Sequence, residues 1–331
     1  SWGARCTKGR SAIPELPEVE TVRRELEPWL VGRTVLAVER LAPAGPKYAR
    51  LEALQARRIE AVNRRGKFLL LPLGERDVRA GTGDAALELI IHLGMTGVIA
   101  AEAPHGAAAG HERVRLTLDG DEPMTLHFID PRRFGRFLVV PAGDYATLPT
   151  LATLGPEPLG PDFTTAAFAA SLSRSTMPIK AYLLSQRPVA GVGNIYADEA
   201  LWRAGVNPLT PAARVSPSRA AALREAIRDV LSASLAAQGT TLNDYRTVAG
   251  EAGSFAEYLD VYGHAGEACR RCGTQLRRIV VGQRGTVYCP GCQPDGATRP
   301  RGARPRAARS QDARSREAKT RPGTRSAKVT T

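Results

Sequence analysis

The sequence predicts an α+β protein of several domains: an N-terminal helix with an antiparallel β-sandwich, then a helical domain, then a four-cysteine zinc finger. Three observations carry this. Short β-rich runs fill the stretch from Arg33 to Val140, with Gly, Pro, Asp and Asn between them. Past the Pro- and Gly-rich LGPEPLGPDF at 154–163, the apolar period becomes helical. Near the end, Cys269, Cys272, Cys289 and Cys292 form two C-x2-C pairs.

The elements follow in order. Residues 1–13 read as an extension ahead of the first domain, which spans 14–143. Helical signals begin at Pro17, which suits a first helical position, and Glu18 and Glu20 suit its positive end. Val19, Val22, Leu26 and Leu30 fall on one stripe with Gly32 as the stop, so a helix is expected over 17–31. The runs TVLAVERL, FLLLPL, ALELIIHLGMTG, VRLTL, TLHFI and RFLVV are the strands expected of a sandwich or barrel. Residues 144–163 form the linker. Helices are expected over 164–173, 178–185, 195–204 and 217–236, the last capped by Ser216 or Ser218, in a second domain over 164–262. The zinc finger takes 263–294.

Composition sets bounds on function. The chain has 331 residues and 43% hydrophobic content, enough for two modest cores, and no apolar run long enough for a membrane span or a secretory signal. A soluble, intracellular, monomeric protein is expected. The net charge of +13 points to nucleic acid, but its distribution matters: residues 295–331 carry eleven Lys/Arg against three acids, and Arg5, Lys8 and Arg10 add three more ahead of Pro14. The folded part is therefore nearly neutral. Residues 295–331, rich in Arg, Ala, Pro and Ser, read as a disordered basic tail that adds nonspecific attraction to polyanions.

Sixteen residues separate the two cysteine pairs, within the range of a four-thiolate zinc site, and RRIVVGQRGTVY between them reads as a β-hairpin. Four ligands leave no open position, so one Zn2+ with a structural role is expected. Residues 264–294 carry five arginines and one Glu, and Arg284 near the hairpin turn is placed to meet a phosphate. Cys6 has no partner in the sequence and is given no role. The glycines of GVGN at 191–194 allow close approach ahead of a helix N-terminus that can hold an anion, or where Asn194 can act as N-cap.

Taken together, PELPEVETVRREL, RRGKFLL, HLGMTG, DPRRFG, GVGNIYADEAL, GTTLNDY and the ribbon ending in CPGCQ resemble bacterial formamidopyrimidine-DNA glycosylase, the Fpg/MutM family. The resemblance runs in order from Pro14 to Gln293. It implies the same layout, with a helix-two-turn-helix domain before the zinc finger and double-stranded DNA in the cleft. It also implies a bifunctional repair enzyme that excises oxidised purines, 8-oxoguanine and formamidopyrimidines, and then cuts the strand by β,δ-elimination.

The resemblance assigns roles residue by residue. Such chemistry needs an amine that becomes an iminium at C1′. In the family this is the N-terminal proline, hence Pro14, whose free α-amine would titrate at about 8. Ile13 stands where the family has its initiator Met, so translation is expected to begin there. Glu15 matches the acid/base and Glu18 a supporting acid; from the residues alone, both read as acids favoured at a helix start. Lys67 and Arg284 match residues acting at the damaged nucleotide. His92, Lys180, Asn194 and Tyr262 match backbone contacts, and the loop at 240–257 matches the segment covering flipped 8-oxoguanine. Met95, Arg132 and Phe134 match the residues that fill the void, bond the orphaned cytosine and wedge the stack; base extrusion demands such a set. Two alternatives are an endonuclease VIII-like glycosylase of oxidised pyrimidines and, with Pro14 blocked, a catalytically silent damage-binding protein. A plain zinc-ribbon regulator leaves the first 260 residues without a role.

Overall fold

A computed structural model describes residues 14–75, 86–101, 103, 106–240, 248 and 253–295. Expectations for residues 1–13, including Cys6, for most of the 240–257 loop, and for the tail beyond Asp295 lie outside the described residues. Among those described, no helix is long and apolar enough to cross a membrane.

Helix α1 (Leu16–Leu30) starts with Pro17 in its first turn, where a missing N–H costs nothing, and Gly32 at φ +88° turns the chain away beyond its end. Val19, Val22, Leu26 and Leu30 are at most 2% exposed. The strands are β1 (Val35–Arg40), β2 (Asn63–Arg65), β3 (Phe68–Leu73), β4 (Leu87–His92), β5 (Val98–Ala100), β6 (Glu112–Leu118), β7 (Met124–Ile129) and β8 (Arg136–Pro141). They form two antiparallel four-stranded sheets, ordered β1-β6-β7-β5 and β2-β3-β4-β8. The open alternative, a sandwich, is thus realised instead of a closed barrel.

Side chains alternate across the second sheet. Leu69, Leu71, Leu89, Ile91, Phe137 and Val139 face the other sheet and the α1 stripe in one core. Phe68, Leu70, Ile90, Leu138 and Val140 face the opposite way, under Leu148 and Leu151. Burial on both faces explains why FLLLPL shows no polar alternation. Leu151 belongs to α2 (Pro149–Ala152), a short helix inside the expected linker. The run ALELIIHLGMTG is also broken: the strand stops at His92, and Gly94 at φ +68° begins a turn closed by Gly97 N–H to the Leu93 carbonyl (2.8 Å). The chain then crosses to the other sheet as β5.

Helices α3 (Thr165–Leu172), α4 (Ile179–Leu184), α5 (Asn194–Ala204) and α6 (Pro217–Ala236) lie within one or two residues of expectation. Ser216 is the cap of α6, accepting from Arg219 N–H (3.4 Å). Helix α5 is buried along almost its whole length, with Ile195, Tyr196 and Leu201 in a core shared with Phe168, Leu223 and Ile227. The last element is a hairpin of β9 (Arg277–Val281) and β10 (Arg284–Tyr288). Its two-residue turn, Gly282 and Gln283, has both φ angles positive (55° and 62°), as a twisted hairpin requires.

Candidate active site

The start of α1 docks on the turn before α5. Leu16 N–H donates to the Gly191 carbonyl (3.1 Å), and Pro14 is buried beside it. Glu15, 1% exposed, accepts from Gly193 N–H (2.7 Å) and Ile195 N–H (2.9 Å). It therefore supplies the acceptor at the start of α5. Gly193 is the N-cap and Asn194 the first helical residue, which corrects the expectation that Asn194 caps.

Gly193 also lets Glu15 and Lys67 meet. A β-carbon there would fall 2.3 Å from Glu15 Cδ and 2.5 Å from Lys67 Nζ, so the two groups are neighbours across the glycine. Lys67 arrives on the β2–β3 turn, fixed by Glu157, which accepts from Gly66 N–H (2.6 Å). Burial pushes Glu15 up to about 7, against the pull of the Lys67 ammonium. Burial lowers Lys67, with Glu15 and Glu18 opposing and nearby Arg284 reinforcing. A carboxyl poised near neutrality beside a destabilised ammonium can give and take protons.

Glu18, 2% exposed, supports this pair. It accepts from Glu15 N–H (2.8 Å), the Tyr196 hydroxyl (2.5 Å) and Thr240 N–H (2.7 Å), and burial raises it. Tyr196 in turn meets Ser234 Oγ (2.6 Å) and Thr240 Oγ1 (2.9 Å).

Arg284 is exposed on the hairpin above this floor. Asn194 donates its side-chain amide to the Gly285 carbonyl (3.2 Å), tying α5 to the hairpin. Lys180 departs from expectation. It is 0% exposed, paired with Asp198 (2.7 Å) and donating to Thr286 Oγ1 (2.8 Å) and the Gly285 carbonyl (3.2 Å). Its ammonium is enclosed by protein and holds the hairpin instead of facing a phosphate. Two acids of α5 escaped the sequence reading: Asp198 accepts from Val287 N–H (2.9 Å), and Glu199 from Asp260 (3.0 Å), Val261 (2.9 Å) and Tyr262 (2.8 Å) N–H. Glu199 thereby places partly buried Tyr262. The signal was present in IYADEALW: two acids in a stretch otherwise without charge.

At the same end of the sheet as Lys67, since Phe68 pairs with His92 and His92 with Arg136, the turn carrying Met95 lies against the turn carrying Arg132 and Phe134. Phe134 is 48% exposed, with Arg132 5.0 Å and Lys47 5.7 Å from its ring centre. Lys47, which also donates to the Arg133 carbonyl, was not singled out from the sequence. His92 stacks on Phe68 (4.6 Å between ring centres) and accepts Gly94 N–H at Nδ1 (3.1 Å). Burial, with Lys67 and Arg136 nearby, pushes His92 down to about 3, so it is a neutral ring whose Nε2–H can donate.

The four cysteine sulfurs lie within 4.8 Å of one another. Pairs stand at 3.5 Å (Cys272–Cys289 and Cys272–Cys292) and 3.9 Å (Cys269–Cys292). A tetrahedron with metal–sulfur bonds of about 2.3 Å has edges of about 3.8 Å, so the set fits one ion. Cys292 N–H donates to Cys289 Sγ (3.3 Å) and Trp202 Nε1–H to Cys269 Sγ (3.4 Å), contacts that favour thiolates.

Sequence models of the formamidopyrimidine-DNA glycosylase N-terminal domain, of its H2TH domain, and of the zinc finger found in FPG and IleRS match residues 13–137, 154–246 and 266–294. The chain belongs to the formamidopyrimidine-DNA glycosylase family. It is 47% identical over 286 residues to formamidopyrimidine-DNA glycosylase of Deinococcus radiodurans, covering 85% of this chain and 98% of that protein. The crystal structure of the MutM (FPG) protein of Thermus thermophilus superposes with a TM-score of 0.75 at 45% identity, covering 86% of this chain and all of that one. An FPG variant of Lactococcus lactis in complex with Fapy-dG-containing DNA gives 0.73 at 33% identity, over 85% and 100% of the two chains.

Proposed function

We propose that this chain is a bifunctional DNA glycosylase and abasic-site lyase of base excision repair, acting on oxidised purines in duplex DNA. The observation that carries the reading is the buried pair at the α1–α5 joint: Glu15, raised to about 7, beside Lys67 and next in sequence to Pro14. Relatives named as formamidopyrimidine-DNA glycosylases, and the neighbour in complex with Fapy-dG DNA, support the substrate class. A monomer acting in the cytoplasm on chromosomal DNA completes the proposal, with domains at 14–143, 164–262 and 263–294.

The chemistry needs Pro14 as the first residue of the working enzyme, since a peptide-bonded nitrogen forms no iminium. Glu15 protonates O4′, and C1′–O4′ opens as the free Pro14 amine attacks C1′. The amine's proton then passes to the base as C1′–N9 breaks, and the Pro14 nitrogen lone pair closes the iminium. Now a carboxylate, Glu15 can take the C2′ proton while the 3′ phosphate departs in the first elimination. Loss of the C4′ proton and the 5′ phosphate completes the second, with Lys67 and Arg284 balancing charge at the expelled phosphates. The thiolates of Cys269, Cys272, Cys289 and Cys292 hold zinc, which supplies structure. Met95, Arg132 and Phe134 fill the space of the extruded base; His92, Asn194 and Tyr262 line the path of the backbone.

Borohydride trapping on an 8-oxoguanine:C duplex, with protein expressed from its own gene and mass spectrometry of the adduct, tests this. The expected adduct is on a peptide beginning at Pro14. Damaged DNA bound without any adduct would overturn it and leave a binding protein, and a preference for thymine glycol:A would move the substrate to oxidised pyrimidines.

A further inference from the structure

The Met95 turn joins β4 to β5, and the turn at 130–135 joins β7 to β8, so both cross between the sheets at one end of the sandwich. They are bonded to each other as well as to their own strands. Asp130 is 0% exposed and has both carboxylate oxygens engaged: Oδ1 accepts the Thr96 hydroxyl (2.7 Å) and Oδ2 accepts Gly135 N–H (2.7 Å). Thr96 Oγ1 accepts Arg132 N–H (3.3 Å), so this hydroxyl bridges one turn to the other. From behind, the Asp130 carbonyl accepts Arg113 Nε–H (2.9 Å) and its N–H donates to the His111 carbonyl (2.9 Å). The backbones themselves touch: a β-carbon at Gly94 would fall 2.5 Å from Gly135 N and 2.6 Å from the Phe134 carbonyl carbon.

We infer that Thr96 and Asp130 are positioning residues that lock these two turns into one rigid wedge, so that Met95, Arg132 and Phe134 enter the base stack as a unit. The inference rests on the reading of those three as the inserting set. A solitary turn needs no such bridge for its own stability. Holding a base out of its stack costs a few kcal/mol, and a turn free to bend would yield under that load instead of transmitting it. A hydroxyl shared between the buried Asp130 carboxylate and the neighbouring turn's N–H resists that bending, because breaking it leaves a buried carboxylate oxygen short of its donor.

The test compares single-turnover rates on an 8-oxoguanine:C duplex and on an abasic:C duplex, where no base remains to be extruded. In Thr96→Val the ratio of the first rate to the second is expected to fall about fivefold to tenfold, as the hydroxyl's bonds to Asp130 and from Arg132 N–H are lost, and to return in Thr96→Ser. Fluorescence of 2-aminopurine beside the lesion, which rises on unstacking, gives a second readout without bond cleavage and should fall in parallel. An unchanged ratio and fluorescence in Thr96→Val, while Phe134→Ala lowers both, would overturn the interlock alone. If Met95→Ala, Arg132→Ala and Phe134→Ala all leave both readouts unchanged, the inserting set falls and the interlock with it. Thr96→Ala repeats the comparison should the valine variant fail to fold.

Discussion

Gly193→Ala isolates the geometry of the proposed acid. Gly193 sits at φ −124°, ψ −154°, extended backbone that alanine adopts freely, so the substitution adds one methyl and no backbone strain. That methyl would lie 2.3 Å from Glu15 Cδ and 2.5 Å from both Glu15 Oε1 and Lys67 Nζ. Carbon atoms rest at about 3.5–4.0 Å, so the carboxyl must retreat by about 1 Å or more. Its two acceptor bonds come from Gly193 and Ile195 of the same turn, and such a retreat breaks at least one. Overpacking of this kind destabilises by about 1–3 kcal/mol, and a displacement of about 1 Å in a reacting group lowers rate by about 100-fold. The hairpin and the inserting turns are untouched, so DNA affinity should stay within about threefold, under about 0.7 kcal/mol. Single-turnover excision with enzyme in excess, a thermal midpoint and fluorescence anisotropy separate the effects. A folded alanine variant excising at the wild-type rate would refute the placement of Glu15; equal losses of rate and affinity would mean general disruption.

The raised Glu15 carboxyl makes a pH prediction of definite sign: excision falls as pH rises past about 7, and Glu15→Gln, far slower, loses that limb in a pH–rate profile. The folded chain keeps a proton that the unfolded chain releases between about 4.5 and 7, so this group's contribution to stability falls as pH rises through that window; the denaturant midpoint of wild type relative to Glu15→Gln should drop from pH 5 to pH 8. Lys180→Met strands Asp198 at 1% exposure and should lose about 3–5 kcal/mol by chemical denaturation, leaving the salt dependence of DNA binding unchanged; a slope reduced by about one would restore a phosphate contact. Elemental analysis should find one zinc per chain, and chelation, like Cys292→Ser, should abolish DNA binding and shift the fluorescence of Trp202, whose indole N–H meets Cys269 Sγ; chelation without either effect would separate the metal from the hairpin.

How much was legible follows from the range of each signal. The stripe Val19, Val22, Leu26 and Leu30, the cysteine spacing and the Ser216 cap are local patterns, and each forms within a residue or two of where the sequence puts it. The errors arise where a partner lies far along the chain. Asn194 reads as a cap because nothing nearby says that Glu15, 178 residues before Gly193, already fills that office. Lys180 is matched to a backbone phosphate contact because nothing nearby shows its partners: Asp198 belongs to the next helix and Thr286 to the distant hairpin. Strand β5, the three residues Val98–Ala100 directly after ALELIIHLGMTG, is missed because so short a strand has no alternation of its own and only the glycines of the Met95 turn mark the change of sheet.

The buried carboxylates share one design that bears on how such a site can be accurate. Glu15 accepts from the turn before α5, Glu18 from Thr240 beyond α6, Asp198 from Val287 of the hairpin, and Glu199 from residues 260–262. None is more than 2% exposed, and in each case the acceptor stands on one element and the backbone N–H on another. Apolar contact can press these elements together but is indifferent to sliding, whereas a charge-assisted bond to a backbone N–H fixes position to a few tenths of an ångström. An unmade bond would leave a buried charge unpaired, so the wrong register is penalised as strongly as the right one is favoured. The Glu15–Lys67 pair, formed by α1, the β2–β3 turn and the start of α5, therefore reaches reacting distance only when all three are seated. On this reasoning the acids that escaped the sequence reading, Asp198 and Glu199, fix the hairpin of Arg284 and the segment of Tyr262 in place relative to that pair.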